Sequence, residues 1–222
     1  MGEEARQAGE ELTLPLAAVG EGDRARVGGK ALGLARLARA GLPVPPGFCV
    51  TAAAYREHAR SAGIAERVAA LDGIGRRELL TAIRRGIEET PPCPRLRAEI
   101  LRQLGALGPV RVAVRSSATA EDLPGHSFAG QHDTHLGVAG ADDCVRAVVR
   151  CWASLWGERA VDYRVHRGFA VAASEMAVVV QALVSADASG VLFTVDPVDG
   201  RTDRVVLEGA FGLGESVVSG RV

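Results

Sequence analysis

The stretch VAVRSSATAEDLPGHSFAGQHDT, residues 112–134, decides the reading of this chain. Residues 110–115 alternate β-branched and polar side chains over the length of a strand, and the chain then passes into a run dense in Ser, Gly, Pro and Asp. A strand therefore delivers a long loop, with Arg115 at the junction. A guanidinium so placed grips phosphate oxygens through two parallel hydrogen bonds, while the hydroxyls of Ser116, Ser117 and Thr119 and the glycines that follow close over them. The same residues also read as a surface loop held by Ser and Thr caps. Beyond the loop, residues 132–138 are expected to return as a strand.

Working outward toward the N-terminus, TPPCP at 90–94 separates two helices expected at 76–89 and 94–107, and a third is expected at 52–62. Pro43, Pro45, Pro46 and Gly47 forbid helix and lead into a short strand, residues 48–51. Before them, Gly28-Gly29-Lys30 opens the run ALGLARLARA, in which Leu32, Ala35 and Leu37 recur at helical spacing until Gly41. Two unhindered backbone units and an ammonium at a helix start suit an anion, because the helix dipole points its positive end there. A plain helix-entry turn reads from the same three residues. It is not a Walker A loop: Arg24 stands where the first glycine belongs, and Ala31 replaces the Ser or Thr that would hold Mg²⁺.

Toward the C-terminus, residues 142–166 are expected as one long helix carrying Trp152 and Trp156 into the core. The character then changes: MAVVVQALV, GVLFTV and DRVVLEGA read as strands joined by ADAS and by the turn DPVDGRT, and a boundary is placed near residue 170. Gln181 interrupts the apolar run 178–184. A buried amide must find partners, and either an adenine edge or a neighbouring strand would supply them.

Composition narrows the classes. With 47% hydrophobic and 24% charged residues the chain is globular, and 26 basic against 27 acidic side chains give no overall field toward nucleic acid or membrane. Any anion site must be local. Cys49, Cys93, Cys144 and Cys151 are too far apart for metal or redox pairs, and MGEEARQAGEELTLPL lacks a signal-peptide pattern, so a cytoplasmic protein with free thiols is expected. No apolar run reaches the roughly 18 residues that span a bilayer. His132 and His135 sit three apart without a second ligand pair and are expected as surface histidines.

Read together, VGGKALGLARLARAGLPVPPGFCVT (27–51), residues 112–134, WASLWGERAVDYRVHRGF (152–169), MAVVVQALV (176–184), SGVLFTVDPVDG (189–200) and EGAFGLGESVVSGRV (208–222) carry a resemblance. From about residue 20 to the end, the chain resembles the nucleotide-binding domain of the phosphoenolpyruvate synthase, pyruvate phosphate dikinase and rifampin phosphotransferase family. The resemblance implies an α+β, ATP-grasp-like fold of two lobes, with residues 1–19 an N-terminal extension, 20–170 the first lobe, and 171–222 the start of a second, strand-rich lobe that is truncated here. It implies ATP as ligand, with Lys30 and Arg115 as the catalytic, phosphate-contacting cations. Gly130 and Thr134 match the loop over the triphosphate and Gln181 the residue beside adenine, with the backbone of Leu183 and Val184 as hinge contacts.

In such enzymes ATP gives AMP and orthophosphate, and the phosphoryl group is carried on a histidine of a separate swivelling domain. The resemblance further implies that the side chains holding Mg²⁺ lie beyond Val222. No metal ligand is assigned within the chain, Glu208 and Glu215 being expected in structural or surface roles. None of His58, His126, His132, His135 or His166 lies in a pattern resembling the carrier site. The isolated chain is therefore expected to bind nucleotide poorly and to perform no complete transfer, its partners being a phosphohistidine domain and an acceptor-binding domain. Its acceptor, pyruvate or a rifamycin, stays open. So do two other readings, a nucleotide-binding remnant without turnover and a purely structural α+β module.

Overall fold

The computed structural model describes residues 10–69, 76–108, 110–118, 134–171, 174–218 and 220. Two compact units divide at Leu183 and Val184. The first is built on a five-stranded sheet in the order β1-β2-β5-β3-β4, antiparallel at every pairing: β1 Thr13–Pro15, β2 Gly47–Val50, β3 Val112–Ala118, β4 Thr134–Val138 and β5 Met176–Ala182. This is an α+β arrangement, with the helices gathered in runs between the strands.

The centre of the sheet explains its sequence. β5 is hydrogen-bonded to β2 and β3 and buried from Met176 to Gln181, so both of its faces need apolar side chains and it reads as a continuous run. One face meets the main core. Val112, Val114, Val178 and Val180 pack there with Trp152, Ile83, Ile87 and Ile100. Those partners come from α4 Arg76–Glu89, α5 Pro94–Leu107 and α6 Ala141–Ser154, which with α2 Ala52–Ser61 and the short α3 Ala65–Ala69 occur between the strands. In α4, Leu80, Ile83 and Ile87 recur at three and four residues and bury a single stripe. Pro94 starts α5, and the Cys93 Sγ accepts the Leu96 N–H at 3.4 Å as its cap.

The other face meets α1, Arg24–Arg39, through Val27, Ala31, Leu32 and Ala35 against Leu14, Cys49, Ala177 and Val179. α1 is broken at Gly28, whose φ of 76° and ψ of 174° lie outside the helix. The continuous helix thus begins immediately after Gly28, where the sequence places a loop and a helix start.

Three expectations change. The helix read over 142–166 is two helices, α6 and α7 Glu158–His166, because Gly157 is extended and serves as the α7 N-cap. The guanidinium of buried Arg164 fills this joint, donating to the Ala160 carbonyl at 3.1 Å and to that of Leu155, and lies over the Trp156 ring at 5.6 Å. Removal from water pushes the Arg164 pKa down to about 10. Residues 10–19 are not an appendage: Leu12, Leu14, Leu16 and Val19 are buried and β1 edges the sheet. The division falls at Leu183 and Val184 rather than near 170, because β5 is held between two strands of the first sheet.

Both tryptophans are in the core, as expected. Trp152 Nε1 donates to the Met176 carbonyl at 3.1 Å and Trp156 Nε1 to the Tyr55 hydroxyl at 3.0 Å.

The second unit is a hairpin of β6 Ala188–Phe193 and β7 Val206–Phe211, followed by the single turn α8, Glu215–Val218. Its Asp-Pro turn works as the sequence predicts. Asp196 Oδ1 accepts the Val198 N–H at 2.8 Å, and Oδ2 pairs with Arg204 at 2.6 Å. Glu208 and Glu215 are exposed.

Candidate functional site

β3 carries Arg115 in mid-strand, since Ser116, Ser117 and Ala118 continue the pairing to β5 instead of opening a loop. Successive residues of a strand face opposite sides, so Ala113, Arg115 and Ser117 share the face that α1 covers. Thr134, the first residue of β4, is directly opposite Arg115, which is also opposite Val179 of β5. Gln181 lies two residues beyond Val179 on the same face, about 7 Å along the strand. The structure therefore brings Arg115, Thr134 and Gln181 onto one surface.

Lys30 joins them from α1. Its Nζ donates to the Ser116 carbonyl at 2.5 Å, on the residue adjoining Arg115. The ammonium of a segment 85 positions away thus rests on β3 at the residue next to Arg115, beside the start of a helix, a placement of basic residues suited to an anion.

The hydroxyls do not behave as the sequence suggests. Ser117 Oγ donates to the Val27 carbonyl at 2.8 Å and accepts the Ala31 N–H at 3.3 Å, and the residue is fully buried. It is committed to holding α1, not to closing over a phosphate. Ser116 faces the opposite side and is buried as well. Within the 112–134 stretch, residues 119–133 lie outside the described residues. That range contains Thr119, His126, Gly130 and His132.

Gln181 finds the partner its burial demands. Its Nε2 donates to the Pro45 carbonyl at 2.9 Å, in the irregular segment 43–46 that leads into β2. A carbonyl can only accept, so the amide orientation is fixed, and among the described residues no donor reaches the amide oxygen. Opposite Gln181 on β2 is Gly47, where a Cβ would come within 2.4 Å of the Val180 carbonyl oxygen. Leu183 follows, its N–H donating to the Arg111 carbonyl at 2.9 Å, and Val184 is exposed at the start of the second unit.

The cysteines take no part in this chemistry. Burial raises the Cys49 thiol well above its ordinary range and pushes Cys144 up to about 12. Two surface cavities of ≈ 400 and ≈ 420 Å³ are lined by helical residues such as Tyr55, Val68 and Val149 and include none of the candidate site residues. Among the described residues, no three His, Cys, Asp or Glu side chains are placed to share a metal ion, and no Mg²⁺ ligand is assigned. Among the same residues no helix is long and apolar enough to cross a membrane.

Residues 24–222 match the family model described as the pyruvate phosphate dikinase AMP/ATP-binding domain. The chain belongs to this family. A probable phosphoenolpyruvate synthase from Staphylothermus marinus is 46% identical over 211 residues, covering 88% of this chain and 25% of the relative. A rifampicin phosphotransferase from Streptomyces sviceus is 46% identical over 222 residues, covering 96% of this chain and 26% of the relative. The prodigiosin-synthesizing transferase PigC of Serratia marcescens is 46% identical over 200 residues, covering 89% of this chain and 21% of the relative. The chain spans about a quarter of the length of the curated relatives it matches.

Two residues take roles in the fold that the sequence did not assign to them. Ser117 was legible only as one hydroxyl of a polar run, because its partners Val27 and Ala31 lie in a distant segment. Pro45 read as a helix breaker, and its role as acceptor for Gln181 has no local signature. The available signal was a glycine in each distant segment, Gly28 packed against Ser117 and Gly47 against the backbone of Gln181.

Proposed function

We propose that the chain binds ATP on the α1 side of its sheet and supplies the phosphoryl-donor half of a dikinase-type transfer. The triphosphate is held by Lys30 and Arg115, and Gly130 and Thr134 are assigned to the segment that covers it. Adenine lies by Gln181 and the backbone of Leu183 and Val184. The fold is read as ATP-grasp-like. In this reading ATP ends as AMP and orthophosphate, and the phosphoryl group passes to a carrier histidine on a separate domain, so that this domain needs no nucleophile of its own. The domain's share of catalysis is positioning and charge stabilisation. Mg²⁺ belongs to the reaction through ligands outside the residues described. The acceptor is pyruvate, as in phosphoenolpyruvate synthase, or alternatively a rifamycin. Relatives bearing both names are 46% identical to the chain.

The observation that carries the reading is the hydrogen bond of Lys30 to the carbonyl of Ser116, the residue next to Arg115, with Arg115 on the sheet face shared with Gln181. A ligand that binds only the folded state stabilises it by about 2.7 kcal/mol at a hundredfold excess over Kd. Millimolar ATP is therefore expected to raise Tm by several degrees. Arg115→Ala removes most of that rise and leaves the ligand-free Tm nearly unchanged, and Arg115→Lys restores little, because an ammonium lacks the two-pronged contact. An Arg115→Ala variant that loses ligand-free stability yet keeps the ATP-dependent rise would make Arg115 structural and return the search for the anchor to Lys30.

A further inference from the structure

We propose that Ser117 is a positioning residue of the nucleotide site, fixing the start of α1 on β3 and so setting the separation of the Lys30 and Arg115 cations. The inference rests on the assignment of those cations to phosphate and adds a residue that touches no ligand. A helix leaves its first N–H groups without intrahelical partners, and after the break at Gly28 the Ala31 N–H is one of them. Ser117 Oγ accepts it at 3.3 Å while donating its own proton to the Val27 carbonyl at 2.8 Å, bracketing Gly28 from both sides. The helix is capped from another strand.

Gly28 completes the junction. Its φ of 76° is a left-handed backbone that favours glycine, and a Cβ there would stand 2.2 Å from the Ser117 carbonyl oxygen and 2.5 Å from Oγ. The approach thus requires no side chain at position 28 and a short hydroxyl at 117. Lys30 lies within the bracketed segment, and its Nζ reaches the Ser116 carbonyl only while that segment is against β3. Ser117→Ala leaves the Ala31 N–H unpaired, and the Val27 carbonyl with only the weak Cys49 thiol donor at 3.6 Å, where Ser117 is fully shielded from water. The segment then relaxes away from the strand, and displacements of about 1 Å are enough to spoil a two-point grip.

The test titrates the full chain and its Ser117→Ala and Ser117→Cys variants by calorimetry with tripolyphosphate and ATP. Adenosine is followed by NMR shifts as a probe that lacks phosphate. Ser117→Ala is expected to weaken tripolyphosphate and ATP by about tenfold or more, the scale of one lost hydrogen-bonded contact, with adenosine unaffected. Ser117→Cys, similar in size and a weak hydrogen-bonding group, recovers part of the loss and carries the test if the alanine variant does not fold. Phosphate affinity within about twofold of wild type in Ser117→Ala, or equal loss for adenosine and tripolyphosphate, overturns the proposal. A wild-type chain that binds neither ATP nor tripolyphosphate overturns the underlying site assignment instead, and the proposal with it.

Discussion

His58 is a histidine that the core keeps neutral. Its Nε2 is 2.9 Å from the Ile87 carbonyl, its ring lies 5.0 Å from that of Trp152, and its Nδ1 has no partner among the described residues. Burial lowers its pKa below the ordinary value of 6.5. The unfolded chain therefore binds this proton more readily than the folded one. The His58 contribution to stability should be level above about pH 7 and should fall as pH drops below about 6.5, until the folded-state pKa is passed. Carboxylates held low by arginine or backbone hydrogen bonds, such as Glu21 and Asp23, lose their contribution further down, as pH falls through the carboxylate range. Urea unfolding at pH 7.5 and 5.5 should show the loss in the wild type and a flatter profile in His58→Phe. An unchanged slope in the variant would assign the acid sensitivity elsewhere.

At the scale of elements, Gly47 tests how closely β2 and β5 are fitted. A Cβ at this position would stand 2.4 Å from the Val180 carbonyl oxygen, 2.9 Å from the Gln181 Cα and 3.2 Å from a Leu16 methyl. Two of these three are backbone, which cannot turn aside. Gly47→Ala should therefore cost about 1–3 kcal/mol, the usual range for overpacking, as read from denaturant midpoints at unchanged m-value. A neutral result would mean that the strands separate without loss.

The elements also show what a sequence displays and what it hides. α4 and α5 were legible to the residue because one apolar stripe and the TPPCP breaker mark them. β1 was hidden: Thr13–Pro15 is three residues long and ends in proline, and only its pairing with β2 makes it a strand. The break between α6 and α7 was missed because Gly157 interrupts a pattern whose apolar residues continue on both sides. In the site, Arg115 and Lys30 were visible as cations beside glycines and hydroxyls. The contact of Lys30 with the Ser116 carbonyl, beside Arg115, was not, since contacts between distant segments leave no period in either one.

For the whole molecule, the two units differ in what they can bury. Residues up to Leu183 hold both hydrophobic clusters, whereas the second unit is one hairpin and one helical turn, in which Val217 is the only apolar residue buried among those described. Isolated two-stranded hairpins are marginal in water. A fragment of residues 1–183 should melt cooperatively within a few degrees of the full chain, and a peptide of residues 184–222 should show no cooperative transition by circular dichroism. A peptide that melts cooperatively alone would contradict this division of stability.

The sheet has a different neighbour on each side, the α2, α4, α5 and α6 layer on one and α1 with the candidate site on the other. This gives the molecule a practical orientation. A dye or a surface linker attached at Arg84 or Glu88, exposed residues of α4, would be separated from Lys30 and Arg115 by the thickness of the sheet and its main core. Immobilised through that side, the chain would present its ligand face to the solution, and binding could be followed without the handle competing for the same ground.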